Sequence, residues 1–517
     1  MKALVSSFCL FGLHFTLLII SLHGLKNKID HILKYTGVFG GVQGLVLLMG
    51  VVRNKLTTKL LGVVGYGLLG EYTTIVDGIH SSTNCGIGFA SVRRASELFE
   101  SGDKAAIANF VAVVRTWCLW IGIAGAVACI AFSPLLCRIY FEPTWENIAK
   151  VACLAPMLLC MAVTIGEASI LKGIRRLKRV ASITALGAVA TLVLTVPIYW
   201  LWGIAGIIIA MNVATAAAAA IHLCFTVPLF PWRVSLFSAN IMREGWTMVR
   251  IGIPFVMAAV AGSIMAIIIT AILKRGGGDE VVGLYRQGYI LMGTYAGLVF
   301  AAFEADYFPR LSSINTDIAQ CNELINKQIL VSVLLVAPML IAMIVLMPAL
   351  IRLLSTDKFL PATAMAVCAV FYPFLRALSM PMSYMALARG DSHIFLLAEL
   401  VYDVASILLI WVSFSHWGLT GAGIGLSLSA AFDVVLIALA YGYLYKVRLT
   451  RSTLRLALAQ GLTLGAAMLV CLFTGEVAKY ILGTLLLTIS AYFSYRVLKR
   501  ESTVIDRIRR KFHLNKT

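Results

Sequence analysis

Apolar runs of about 18 residues or more, separated by short polar connectors, recur from one end of the chain to the other. Their polarity does not alternate at every second residue, as barrel strands would require, so each run predicts a helix able to cross roughly 30 Å of hydrocarbon. The pattern predicts fourteen spans, at 35–52, 66–92, 107–132, 148–171, 180–202, 204–227, 248–273, 283–308, 328–351, 361–388, 394–415, 418–445, 456–475 and 478–496. A further apolar run at 3–22 stands ahead of them behind Lys2. It lacks a small-x-small cleavage signature before Lys26, and as a retained span it would leave Lys2 outside; residues 1–25 are therefore expected to be a leader or a mis-called start near Leu25.

Composition explains why the runs have to be membrane spans. Of 517 residues, 60% are hydrophobic and 13% charged, about half the charged share of a soluble domain, so the chain cannot clothe a water-facing surface. The net charge of +19 suggests nucleic acid at first sight, but the basic residues fall in connectors, where they orient a membrane protein. The richer set includes Lys26, Lys28 and Lys34; Arg93, Arg94 and Lys104; Lys172 to Arg179; Arg233, Arg243 and Arg250; Arg310 and Lys327; Arg389; and Lys446 to Arg455. The poorer set holds Arg53, Lys55 and Lys59; Arg138 and Lys150; Lys274 and Arg275; Arg352 and Lys358; and Lys479. The richer side is expected to be cytoplasmic, and the basic tail at 497–517 to stay there beside anionic headgroups, with no nucleic-acid partner. Eleven cysteines without CxxC spacing and eight scattered histidines offer neither a metal site nor a disulfide framework.

The chain also matches itself at a shift near 215 residues. "GYGLLGEYTTI" around Gly67 meets "VVGLYRQGYIL" around Gly283, Arg93 meets Arg310, and Pro134 meets Pro348. Gly173 meets Gly390, and "LWGIAGIIIA" meets "HWGLTGAGIG" at Gly203 and Gly418. Five weak matches in one order at near-constant spacing define a repeat. Each unit holds six spans, an even number, so both insert the same way up and are related by an axis along the membrane normal. The expected fold class is an all-α polytopic membrane protein with two six-helix lobes, 26–230 and 231–446, around a central cavity. Two added helices at 447–496 follow.

The segment from "ILKYTGVFGGVQGLVLLMGVVRNKLTTKLLGVVGYGLLGEY" through "DGIHSST" to "NCGIGFASVRR" resembles bacterial oligosaccharide flippases of the Wzx type. These belong to the superfamily that also holds multidrug exporters and lipid II flippases. The resemblance is densest over 28–100, extends to about residue 445, and says nothing of which sugar is carried. It implies two lobes around a cavity and an undecaprenyl-pyrophosphate-linked oligosaccharide turned from the cytoplasmic to the outer face of the inner membrane by alternating access. The product would feed capsule, exopolysaccharide or O-antigen assembly, with a polymerase and glycosyltransferases as partners. The run at 1–25 departs from the family pattern.

Charges inside hydrocarbon cost several kcal/mol unless paired or hydrated, so each one in a span is a candidate site. In the second span Glu71, Thr74, Asp77, Ser81 and Asn84 step by three or four and lay one polar stripe along a helix face. The repeat partner carries Arg286, Gln287, Tyr289 and Glu304, with Glu71 aligned to Gln287. Arg115 and Arg376 are the other intramembrane arginines. Guanidinium forks bind multi-oxygen groups bidentately, so Arg286, Arg115 and Arg376 form the expected pyrophosphate set, with helix–helix ion pairs to Glu71, Glu167 or Glu399 as the alternative. Glu71, Asp77, Glu167, Asp306, Asp403 and Asp433 are candidates to carry a coupling proton or Na+, Glu71 and Asp403 foremost, with no other cofactor expected. Tyr285 and Tyr289, one turn apart, either stack on sugar rings or pack. Trp117, Trp120, Trp200, Trp202, Trp411 and Trp417 are expected at the interfaces. A multidrug exporter and a lipid II flippase are the alternatives within transport, and a membrane-embedded polymerase or ligase is the alternative enzyme. No outer connector exceeds about twenty residues, too short to hold an enzyme's catalytic groups.

Overall fold

The computed structural model describes residues 29–501, apart from 236–237 and most of 295–309. The leader run, the tail beyond Glu501, Glu304 and Asp306 lie outside the described residues. The chain runs through α1 (Ile29–Thr83), α2 (Ile87–Ser101), α3 (Lys104–Tyr140), α4 (Trp145–Ala152), α5 (Ala155–Gly173), α6 (Leu177–Trp202) and α7 (Ile207–Thr226). It continues through α8 (Ala239–Tyr289), α9 (Ile318–Val345), α10 (Met347–Leu354), α11 (Ala362–Cys368), α12 (Phe371–Arg389), α13 (Ser392–Leu444), α14 (Arg451–Phe473) and α15 (Glu476–Glu501).

Nine helical stretches among the described residues are long and apolar enough to cross a membrane, and three of them contain a break, at Gly203, Gly278 and Gly418. Counted as halves, they match the twelve spans expected from residue 107 onward. The two halves of α1 about Gly62 supply the first pair. The second span is shorter than expected: the helix stops at Thr83 and restarts at Ile87, because Cys85 and Gly86 both take positive φ.

The repeat is visible in backbone geometry. Gly62 (φ 67°, ψ −169°) and Gly278 (φ 68°, ψ −168°), 216 positions apart, break their helices in a region that only glycine occupies without strain. Asp103 and Asp317 both cap a helix, each carboxylate accepting from the second and third backbone N–H that follow. Gly203 and Gly418 both end a helix at positive φ. The two units meet at Gly67 and Gly283, equivalent positions of the repeat. A Cβ on Gly67 would lie 2.0 Å from the Asp279 carbonyl oxygen, and one on Gly283 would lie 2.3 Å from that of Val63. Equivalent positions touch each other only on the axis that relates them, so the pseudo-two-fold passes between these two glycines.

Apolar side chains such as Leu439 and Leu462 stay exposed, as a lipid-facing surface requires. The largest core lies in the second lobe, where α9 and α12 are mostly enclosed by neighbours. Lipid removes the hydrophobic drive between helices, so small residues and polar contacts set the packing. Trp200, Trp202, Trp411 and Trp417 are exposed, as expected of anchors, whereas the Trp117 indole donates to the Ile241 carbonyl at 3.2 Å.

Candidate functional site: a cavity between the lobes

A cavity of about 370 Å³ lies at mid-bundle, beyond the Gly67–Gly283 crossing. The first lobe supplies Gly70, Thr73, Thr74 and Asp77, one face of α1. The second lobe supplies the rest, including Tyr285, Arg286, Tyr289, Tyr372, Tyr402, Ser406 and Ser429. Asp77 and Arg286 are the charged side chains among the described lining residues.

Arg286 reaches across from α8 to α1. Its Nη2 lies 3.4 Å from Thr73 Oγ1, and its guanidinium carbon stands 5.4 Å from the Tyr66 ring centroid. Gly70 makes room for it, since a Cβ there would come within 2.8 Å of Nη1. No carboxylate forms an ion pair with Arg286 among the described residues; Asp77 is the charge whose field it shares. Thr73 and Thr74 donate their hydroxyl protons to the carbonyls of Leu69 and Gly70, at 2.6 and 3.0 Å. Their oxygen lone pairs therefore face the cavity as acceptors.

The polar stripe is thus rotated from its expected position. Thr74 and Asp77 line the cavity, but Glu71 turns to the other flank of α1. There it is fully buried, 2.6 Å from Lys274 Nζ, which also lies 2.6 Å from Asp279 and 4.3 Å from the Phe141 ring centroid. Glu71 Oε1 has no partner among the described residues. Ser81 is half-buried beyond the lining, and Asn84 accepts from the Gly86 N–H at 2.9 Å, shaping the helix break. Gln287 is buried away from the lining, with its amide unpartnered among the described residues.

The structure does not bring the three expected arginines together. Arg115 is enclosed in the first lobe. Its Nε and Nη2 reach both oxygens of Glu167 at 2.7 and 3.1 Å, and Nη1 donates to the carbonyls of Phe230 and Pro231 at 3.0 and 2.9 Å. With four of its five N–H donors engaged and the side chain buried away from the cavity lining, this fork is not presented to a ligand there, which corrects its expected role. Arg376 stands behind the cavity wall, 5.6 Å from the Tyr402 ring centroid and 3.3 Å from Asp433. Asp403 is buried in the same region, with Oδ2 unpartnered among the described residues.

On the side of the crossing away from the cavity, the charge-poor end is sealed. Tyr66 donates to Asn54 at 2.8 Å, Asn54 donates to the Leu354 carbonyl at 2.9 Å, and Lys55 Nζ donates to the carbonyls of Arg352 and Ser355. The Tyr140 hydroxyl donates to the Ile267 carbonyl at 2.9 Å. Sequence reasoning missed the sealing roles of Lys274 and Lys55 and the cavity positions of Thr73, Tyr372 and Tyr402. A basic residue at a span end reads as an orienting charge, and a tyrosine in a span reads as packing.

The family model described as "Polysaccharide biosynthesis protein" matches residues 56–364. Among solved structures, the chain is similar to a lipid II flippase, MurJ, in an inward closed conformation. The identity is 13%, with 90% of this chain and 99% of that one covered and a TM-score of 0.66. It is also similar to a multidrug resistance MATE family transporter of the MOP superfamily in an inward-facing conformation, at 16% identity. That match covers 78% and 96% of the two chains with a TM-score of 0.58. The MATE multidrug transporter DinF-BH matches at 17% identity, 77% and 92% coverage and a TM-score of 0.56. No curated protein matches the chain.

Proposed function

The chain belongs to the polysaccharide biosynthesis protein family, and from that premise we propose that it flips undecaprenyl-pyrophosphate-linked oligosaccharide repeat units across the bacterial inner membrane. The observation that carries the reading is the cavity between the lobes, with the Arg286 guanidinium held in its wall and no carboxylate paired to it among the described residues. Such a group binds phosphate oxygens bidentately, more strongly in a site shielded from water.

In this reading the unit enters from the cytoplasmic side. Its pyrophosphate meets Arg286, while water or headgroup hydroxyls donate to Thr73 and Thr74. Rocking of the lobes about the Gly67–Gly283 crossing then opens the other end. Asp77, opposite Arg286, and Asp403, with one oxygen unpartnered among the described residues, are the coupling candidates for H+ or Na+. Glu71 and Asp433 are held by Lys274 and Arg376, so they serve the structure first. The basic end and the C-terminus face the cytoplasm, and the product passes to a polymerase that builds surface polysaccharide.

Replacing Arg286 by alanine in the native host tests the reading. Surface polysaccharide is expected to disappear while undecaprenyl-pyrophosphate-linked units accumulate and the protein remains in the membrane. Wild-type polysaccharide in that strain would remove Arg286 from the site and the reading with it.

A further inference from the structure

The two walls of the cavity descend from equivalent positions of the repeat, yet they have diverged in one direction. At the 216-residue offset set by Gly62 and Gly278, Tyr285 corresponds to Leu69, Arg286 to Gly70 and Tyr289 to Thr73. At the 215-residue offset set by Gly203 and Gly418, Tyr402 corresponds to Gly187. The first lobe has small or aliphatic side chains where the second has three tyrosines and an arginine. Tyr372, from α12, completes the aromatic wall.

Three of these rings form a connected surface, and Tyr402 shares the same lining. Tyr285 and Tyr289 stack at 6.1 Å between centroids with 20° between planes, and Tyr289 lies 6.2 Å from Tyr372. Tyr402 is backed by Arg376, whose charge is held by Asp433. Tyr289 is 37% exposed within the bundle, far more than a packed core ring. If these tyrosines served packing alone, they would fill the space that the cavity occupies.

Resting on the function proposed above, we propose that this wall is a carbohydrate subsite. The Tyr285–Tyr289–Tyr372–Tyr402 surface takes the pyranose ring joined to the pyrophosphate while Arg286, at its edge, takes the phosphates. A pyranose presents a C–H face that packs on an aromatic ring and a rim of hydroxyls that pair with phenolic oxygens, and tyrosine supplies both. The opposite wall presents only the short side chains of Thr73 and Thr74 beside the arginine, which leaves clearance for a bulky head. The second lobe thus selects the sugar, and the first admits it.

The test measures binding of the full chain in nanodiscs to two probe types: polyprenyl pyrophosphates headed by glucose, galactose or N-acetylglucosamine, and bare polyprenyl pyrophosphate. The wild type is expected to bind at least one glycosylated probe more tightly than the bare lipid. Tyr289→Ala weakens that preferred probe about tenfold and leaves the bare lipid within about twofold, whereas Tyr289→Phe retains most of the preference. Arg286→Ala weakens both probe types. Equal loss on glycosylated and bare probes in Tyr289→Ala, or no sugar preference in the wild type, overturns the subsite while leaving the pyrophosphate reading intact. Failure of the wild type to bind any probe overturns the function and the subsite together. Thermal unfolding of each variant, read beside the binding, excludes loss by misfolding.

Discussion

The proposed rocking of the lobes is tested most sharply at the Gly67–Gly283 crossing. In Gly67→Ala the new Cβ would stand 2.0 Å from the Asp279 carbonyl oxygen, where contacts below 3.0 Å essentially never occur. The helices must therefore separate by about 1 Å, and the obstacle is backbone, so no side-chain rotation relieves it. Separation strains the Glu71–Lys274–Asp279 cluster one turn away, so relief comes most readily by parting the lobes at this end. Overpacking of this kind costs about 1–3 kcal/mol, which moves the closed-to-open ratio by roughly 5- to 150-fold. Spin labels on Val64→Cys and Leu353→Cys report the end directly, both side chains being exposed. Double electron–electron resonance is expected to give one short distance in the parent and a second, longer one in Gly67→Ala. Gly283→Ala, with its 2.3 Å approach to Val63, should do the same. A distance distribution unchanged in both folded variants would refute the idea that this contact governs opening.

Further outcomes follow from the same geometry. Arg115→Ala strands a buried Glu167 carboxylate and is expected to cost about 3–5 kcal/mol in detergent unfolding, whereas Arg115→Met with Glu167→Leu loses much less. Lys274→Met leaves Glu71 buried without its cation, so hydrogen exchange across 63–83 should rise; unchanged protection would dismiss the cluster as a clasp. Asp317 accepts from the Gln320 backbone N–H and side chain and from the Ala319 N–H, which holds its carboxyl below the usual range. Its capping contribution is therefore present above the ordinary carboxylate pKa and lost as pH falls through the lowered one. Exchange at the start of α9 should accelerate only in strong acid, and Asp317→Asn should flatten that dependence.

The elements that were legible in the sequence share a cause. Spans follow from hydrophobic length, and the repeat follows from glycines whose backbone role leaves no alternative residue. Gly203 and Gly418, which end a helix at positive φ, were among the landmarks that paired at a shift near 215 residues, whereas the matching breaks at Gly62 and Gly278 show themselves only in the backbone. What was not legible depends on rotation and on distant partners. A 3.6-residue period places Thr74 and Asp77 on one face, but it cannot say whether Glu71, at that face's edge, turns to the cavity or to Lys274, which is 203 residues away. Arg115 and Arg286 look alike in sequence. Only the fold brings Glu167 to the first and a glycine to the second. The break at Asn84–Gly86 was signalled by turn residues, and the apolar run that continues past them masked it.

Transport itself is the most direct test. The full chain, reconstituted into liposomes with a fluorescent polyprenyl-pyrophosphate oligosaccharide in the bilayer, is expected to expose the probe to an external quencher far faster than empty liposomes do. Arg286→Ala, equally folded, should match the empty liposomes. Equal exposure with the wild type and the arginine variant, or none above background with the wild type, would contradict a pyrophosphate-gripping flippase.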